Sequence, residues 1–346
     1  MASWYTCMRD VLFDSLPADR REAARSALTA AFGPAPLTAL QQVTSGASAL
    51  IYRIEVADRP YLLRLDSLQR DDIRDPERAY LCMRTAEEAG IAPALHHADA
   101  TAGVAIMDFV PGRSLSEHPG GPRGLARDLG DLAARLQATS AFPPVADYLS
   151  VLKGLLGRLL GSGLFASGLL DRHQAGFERI RQAYPWDSSA LVSSHNDPHP
   201  GNIMFDGRRL WLIDWEDAYR NDPLVDVAIF TLHLAASPEL EGLLLQSWLG
   251  RPPDRVLRAR LVLMRQLVRL FYACASSLHA ATPEVVPETD LAALTPAEFR
   301  AAVDQGRLVA GAPETQRIGG KVALATFLAV LATPTFEEAL VVVQQG

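Results

Sequence analysis

The chain has 346 residues, of which 49% are hydrophobic and 21% charged, and a net charge of −7. That length and composition point to one large or two intimate globular domains with a sizeable core, and the acidic balance argues against a general nucleic-acid binder. Cys7, Cys82 and Cys274 are far apart and odd in number, so they form neither a disulfide framework nor a metal-spaced motif, as expected in a reducing cytoplasm. The first residues, interrupted by Asp10 and Asp14, lack the pattern of a signal peptide, and no charge-free stretch reaches membrane-spanning length.

Residues 1–36 read as helical, led by Asp19–Phe32 and stopped by Gly33-Pro34. Strands are expected at Leu40–Val43, Ala49–Val56 and Tyr61–Asp66; Leu50, Tyr52, Ile54 and Val56 alternate onto one face. Ser45-Gly46-Ala47-Ser48 forms the turn between the first two, and an ordinary hairpin connection is its plain reading. A helix follows over Pro76–Ala89, with Glu77 in a first turn that favours acidic side chains. Strands at Pro93–His97 and Val104–Met107 complete the sheet and lead into Asp108-Phe109-Val110-Pro111-Gly112. Helices are then expected over Pro122–Thr139, Tyr148–Leu160 and Phe165–Tyr184.

Chemistry concentrates in Ser193–Phe230. His195, Asn196, Asp197 and His199 are interleaved with Pro198, Pro200 and Gly201, which exclude regular structure, and Asn202 closes the loop. Two apolar runs, Ile203–Phe205 and Leu210–Ile213, flank the hairpin signal Asp206-Gly207, and the second ends on Asp214, Trp215 and Glu216. Asp197, Asn202 and Asp214 therefore come from neighbouring loop ends. Hard oxygens of this kind suit Mg²⁺ shared with phosphate, and phosphoryl transfer needs one carboxylate at the acceptor hydroxyl. His195 reads as a packing and hydrogen-bonding residue, and His199 as a loop residue. The remainder is helical: Leu224–Leu234, Leu240–Leu249, Asp254–Ala281, Pro296–Leu308, Lys321–Leu331 and Phe336–Val343, with a linker at 282–294.

His195-Asn196-Asp197-x-x-x-x-Asn202, followed by Ile213-Asp214-Trp215-Glu216 and by Asp226, resembles the aminoglycoside phosphotransferase and choline/ethanolamine kinase superfamily. Asn196 and the strand cation Arg64 look more like its choline-kinase side; the antibiotic kinases more often carry Gly in the middle of the triplet. The resemblance implies an α+β, two-lobed protein-kinase-like fold, with a small antiparallel β lobe over 1–107, a hinge at 108–112 and a mainly helical lobe over 113–346. It implies Asp197 as catalytic base, Asn202 and Asp214 as Mg²⁺ ligands, and His195 and Asp226 as supports of the loop. Ser45, Gly46, Ala47, Ser48 and Arg64 would meet the ATP phosphates, Glu77 would orient Arg64, and the backbone of Asp108 and Val110 would meet adenine. Trp215, Glu216, Asp217 and Tyr219 are the acceptor-site candidates.

By the same resemblance, the expected activity is ATP-dependent transfer of the γ-phosphoryl group to a small-molecule hydroxyl, favouring an amino alcohol such as choline or ethanolamine. An aminoglycoside or another polar metabolite is the alternative acceptor, and a nucleotide-binding pseudokinase scaffold is the alternative of another class. A protein kinase is disfavoured because Asp214 leads to a helix near Pro223 with no room for an activation segment. The single-glycine turn departs from a full glycine-rich loop, Gln137 replaces a usual His, and no tryptophan follows Trp248, which tells against choline itself.

Overall fold

Alternating apolar positions near the start of the chain build a five-stranded antiparallel sheet: β1 (Leu37–Ser45), β2 (Ala49–Val56), β3 (Arg59–Asp66), β4 (Leu95–Asp99) and β5 (Val104–Asp108), in the order β1-β2-β3-β5-β4. The structure, a computed structural model, describes residues 12–45, 49–67, 75–145, 147–281 and 286–345. The two-residue turn joining β2 to β3 places Ala57 and Asp58 at φ 50° and 61°. Positive φ at both positions gives the turn a twist that matches the strands it connects.

One face of the sheet is covered by α1 (Arg21–Phe32). Ala24, Ala27 and Leu28 pack with Tyr52, Ile54, Leu63, Leu65, Val104 and Ile106, which are every-second-residue positions on β2, β3 and β5. Just before α1, the buried Arg20 donates from Nη1 to Asp66 O (2.6 Å) and from Nη2 to Ala102 O (2.9 Å) and Gly103 O (2.7 Å). One guanidinium thus satisfies three carbonyls at strand ends, which would be costly to bury unpaired. After β3, α2 (Pro76–Glu88) starts with Pro76 in its first turn, and its cap, Asp75, accepts from the Glu77 N–H at 3.0 Å.

The later elements are α3 (Gly121–Gln137), α4 (Tyr148–Gly161), α5 (Asp171–Ala183), β6 (Val192–Ser194), β7 (Ile203–Phe205), β8 (Leu210–Leu212), β9 (Tyr219–Asn221), α6 (Leu224–His233), α7 (Pro238–Leu249), α8 (Arg255–His279), α9 (Pro296–Asp304), α10 (Pro313–Leu331) and α11 (Pro334–Gln345). The chain divides into two compact units, one of Met1–Val145, Val192–Arg220 and His233–Gly250, the other of Ala146–Leu191, Asn221–Leu232 and Arg251–Gly346. The loop and hairpin bearing Asp197, Asn202 and Asp214 therefore belong to the same unit as the sheet.

In the first unit α3 lies against α7. A Cβ at Gly130 would sit 2.3 Å from Leu244 O, so only glycine permits this approach. Gln137 Oε1 accepts from the Trp248 indole N–H at 2.9 Å, which gives Gln137 a helix-pairing role.

In the second unit α8 carries α4, α10 and α11. By length and composition α8 could cross a membrane, but its apolar residues Leu261, Leu263, Met264, Leu267 and Leu270 are buried, as in the core helix of a soluble protein. Two helix starts differ from expectation. The helix expected from Phe165 begins at Asp171, after Gly168 at φ 81°, and α10 begins at Pro313 instead of Lys321. A Cβ on Gly320 would meet Ser277 Oγ at 2.5 Å, so this glycine is a packing residue inside the helix.

Candidate active site

The loop after β6 is held from beneath by His195. Its ring is fully buried, Nε2 is 2.9 Å from Ile213 O, and Trp215 packs on it with centroids 4.7 Å apart. Burial lowers its pKa to about 4, so the ring is neutral and its Nε2–H donates to the carbonyl. This histidine fastens the loop to the hairpin, and its one ring proton is engaged by the Ile213 carbonyl.

Asn196 and Asp214 both adopt left-handed backbone, at φ 67° and 66°. This conformation costs most side chains about 1 kcal/mol or more, glycine almost nothing, and Asn and Asp less than others. The Asn196 side chain stabilises it by donating from Nδ2 to Asp217 O (2.8 Å) and Tyr219 O (3.4 Å). Asn and Gly are among the residues that tolerate this φ best.

The run His199-Pro200-Gly201-Asn202 forms a single capped turn. His199 Nδ1 accepts the Gly201 N–H at 2.9 Å, and a Cβ on Gly201 would meet the His199 ring at 2.7 Å, so the glycine makes room for the cap. The turn delivers Asn202, whose Nδ2 donates to Asp197 O (3.0 Å) and Oδ2 (3.3 Å). With its amide nitrogen committed, Asn202 has its Oδ1 to offer a ligand.

Opposite the loop, Arg64 is buried on β3. Its Nε donates to Asp66 Oδ1 at 2.6 Å, its Nη1 to Asp214 Oδ1 at 2.8 Å, and its Nη2 lies 3.5 Å from Glu216 Oε2. Burial alone would lower the guanidinium's pKa, but Asp214 and Asp66 outweigh it and hold the group charged. Asp66 also accepts from the Tyr80 hydroxyl; burial, and then Asp66, push that phenol well above its ordinary range. Asp66 therefore grips Arg64 from its own strand. Residues two apart on a strand share a face, which places Asp66 beside the guanidinium, whereas Glu77 opens α2.

Arg64, Asn202 and Asp214 edge a cavity of about 390 Å³ whose other walls are apolar: Val43, Ile51 and Leu62 from the sheet, and Met204 and Ile213 from the hairpin. Asp108 and Val110 line it too. The Asp108 N–H is bonded to Ala94 O (2.9 Å) and its carboxylate Oδ1 to His96 (2.7 Å), so of its backbone the carbonyl is left to meet a ligand edge. Ser45 ends β1 opposite Leu50, while Gly46, Ala47 and Ser48 lie outside the described residues. The walls, like Asp66 and Tyr80, are absent from the sequence-derived site; the period of two on β2 and β3 was the signal available for Ile51 and Leu62.

The acceptor candidates separate. Trp215 is 1% exposed, wedged between His195 and Phe142, and Tyr219 is 7% exposed beneath the Arg78 guanidinium. Both rings are buried, and Trp215 also borders the cavity. Glu216 turns its carboxylate towards Arg64, and its carbonyl accepts from Arg78 Nη2 at 2.6 Å; Asp217 lends its carbonyl to Asn196. Asp226 is fully buried in α6, in the second unit.

Two hard oxygens, Asn202 Oδ1 and Asp214 Oδ2, fit a cation such as Mg²⁺ that takes few protein ligands and completes its shell from phosphate and water. Among the described residues no cluster of three or more His, Cys, Asp or Glu side chains could hold a metal alone.

Small antiparallel sheet, larger helical part, and an Asp–Asn–Asp set facing a strand arginine place the fold in the kinase-like α+β class. The chain belongs to the phosphotransferase enzyme family (APH), whose sequence model matches residues 39–259. No curated protein matches the sequence significantly. Among solved structures, a choline/ethanolamine kinase family protein from Mesorhizobium loti aligns with a TM-score of 0.64 at 21% identity, over 94% of this chain and 100% of that one. Choline kinase LicA from Streptococcus pneumoniae aligns with a TM-score of 0.59 at 12% identity, over 88% and 98%. A streptomycin–ATP complex of APH(2″)-IIa aligns at 0.53 and 17% identity, over 75% and 91%. At these identities the likeness is one of fold.

Proposed function

We propose that this phosphotransferase moves the γ-phosphoryl group of ATP to a hydroxyl of a small molecule, and that the acceptor is an amino alcohol. The observation that carries the reading is the meeting of Arg64, Asn202 and Asp214 at one edge of an apolar slot, with Asp197 tied to Asn202. The slot suits a purine, whose edge would face the Asp108 carbonyl and the Val110 backbone in a hinge over 108–112. Arg64 lies at the end where phosphates would sit, held from behind by Asp66.

Asn202 and Asp214 would hold Mg²⁺, which when bound neutralises phosphate charge. Asp197 orients the acceptor hydroxyl and takes its proton as the new O–P bond forms and the bond to the ADP leaving group breaks. The carboxylates of Glu216 and Asp217 are the groups to meet an ammonium. With Trp215 and Tyr219 buried, recognition by charge fits an ethanolamine-like primary ammonium better than a quaternary one caged by those rings. Two cysteines, Cys82 and Cys274, are free and buried, which fits a cytoplasmic enzyme.

The test is ADP release from Mg²⁺-ATP across a panel of amino alcohols and aminoglycosides, with Asp197→Ala expected to lose about 100-fold or more in kcat. Nucleotide binding without turnover on any acceptor would instead favour a scaffold.

A further inference from the structure

The catalytic assignment of Asp197 leaves open what holds its carboxylate in position, and the structure bears on that through a residue that reads in sequence as mere loop. His199 caps its own turn through Nδ1, which accepts the Gly201 N–H at 2.9 Å. A ring nitrogen that accepts carries no proton, so the imidazole hydrogen is on Nε2. That Nε2 lies 3.5 Å from Asp197 Oδ2, the same oxygen that faces Asn202 Nδ2 at 3.3 Å. The Asn202 contact is a long hydrogen bond and the His199 contact an approach short of one, and catalytic contacts often tighten only when substrate arrives.

We infer that His199 is a positioning residue for Asp197: its Nε2–H and the Asn202 amide hold Oδ2 and so set the angle at which the carboxylate meets the acceptor hydroxyl. This rests on the reading of Asp197 as the base. The two ends of one imidazole do separate work, with Nδ1 shaping the turn that carries Asn202 and Nε2 fixing the rotation of the carboxylate. Gly201 belongs to the same device, because any side chain there would displace the ring.

The two roles can be separated by substitution. Asparagine is among the best residues at a helix cap, so His199→Asn keeps an acceptor for the Gly201 N–H, but it is too short to reach Asp197. Its thermal midpoint and KM for ATP should match the wild type, while kcat falls roughly ten- to a hundredfold, as for a misaligned reacting group. His199→Ala should lose the cap as well and fall in stability. Unchanged kcat in His199→Asn would overturn the inference while leaving the phosphotransferase reading intact.

A second measurement needs no turnover. In the ¹⁵N spectrum of the ligand-free protein the His199 ring should be the neutral Nε2–H tautomer, and Asp197→Asn should move its Nε2 resonance. The opposite tautomer, or a resonance indifferent to Asp197→Asn, would sink the proposal even if no acceptor were found.

Discussion

Arg64 and Asp214, 150 residues apart in the chain, meet Nη1 to Oδ1 at 2.8 Å, while Asp66 holds the same guanidinium through Nε at 2.6 Å. The planar fork of arginine lets one side chain be gripped from two directions, which a lysine ammonium on a flexible stem cannot reproduce. Arg64→Lys is therefore expected to fold but to lose about one charge-assisted hydrogen bond's worth of nucleotide affinity, roughly 1.5 kcal/mol or tenfold. Calorimetric titration with ATP checks this; equal affinity in the two proteins would show that the fork is not needed.

The positive φ of Asn196 makes a prediction about ranking. Asn196→Gly and Asn196→Ala both lose the bonds to Asp217 O and Tyr219 O, but only alanine must also adopt φ 67° with a Cβ. Alanine should be the less stable of the two by about 1 kcal/mol, the reverse of its usual advantage over glycine. Urea unfolding of the pair settles the order, and an alanine variant at least as stable as glycine would contradict it.

How much of this was legible in the chain depends on how local each determinant is. The hairpin, Asp197, Asn202 and Asp214 could be placed because turn chemistry at Asp206-Gly207 and the prolines around His199 act over a few residues. The sheet strands were legible for the same reason, their period of two being visible in Leu50 to Val56. Asp66 could not be told from any carboxylate at a strand end, since its partners Arg20, Tyr80 and Arg64 converge only on folding. Trp215 and Tyr219 were ambiguous because an aromatic beside a catalytic motif reads alike in core and in pocket; burial decides, and burial is tertiary. His199 does carry a local signal, since an acceptor ahead of Pro200 at a first-turn position is a capping pattern.

Gly130 illustrates a constraint that only packing reveals. A methyl at this position would sit 2.3 Å from Leu244 O and 2.8 Å from Ser247 Cβ, and backbone cannot yield as a flexible side chain does. Gly130→Ala gains helix propensity but must push α3 from α7, with an expected net loss of about 1–3 kcal/mol. The midpoint of thermal unfolding should drop accordingly. Gly154, also in a helix but with open space around its Cβ position, is the control: Gly154→Ala should be neutral or stabilising.

His195 links the loop to pH. Its ordinary pKa of 6.5 is lowered to about 4 by burial, which the bond to Ile213 O only partly offsets. On acidification the unfolded chain therefore takes up the proton first, and the unfolded state is favoured by it. The contribution to stability is fully present above pH 6.5, is lost progressively as the pH falls towards about 4, and is level below that. The whole interval corresponds to about 3 kcal/mol, an upper figure for a single fully buried imidazole. His195→Asn retains a donor but cannot titrate, so it should begin less stable and lose less across the same interval. The quantity to compare is the slope of unfolding free energy against pH in the two proteins. Coincident slopes would mean that His195 is protonated alike in the folded and unfolded chains, and that the loop is not held by a neutral ring.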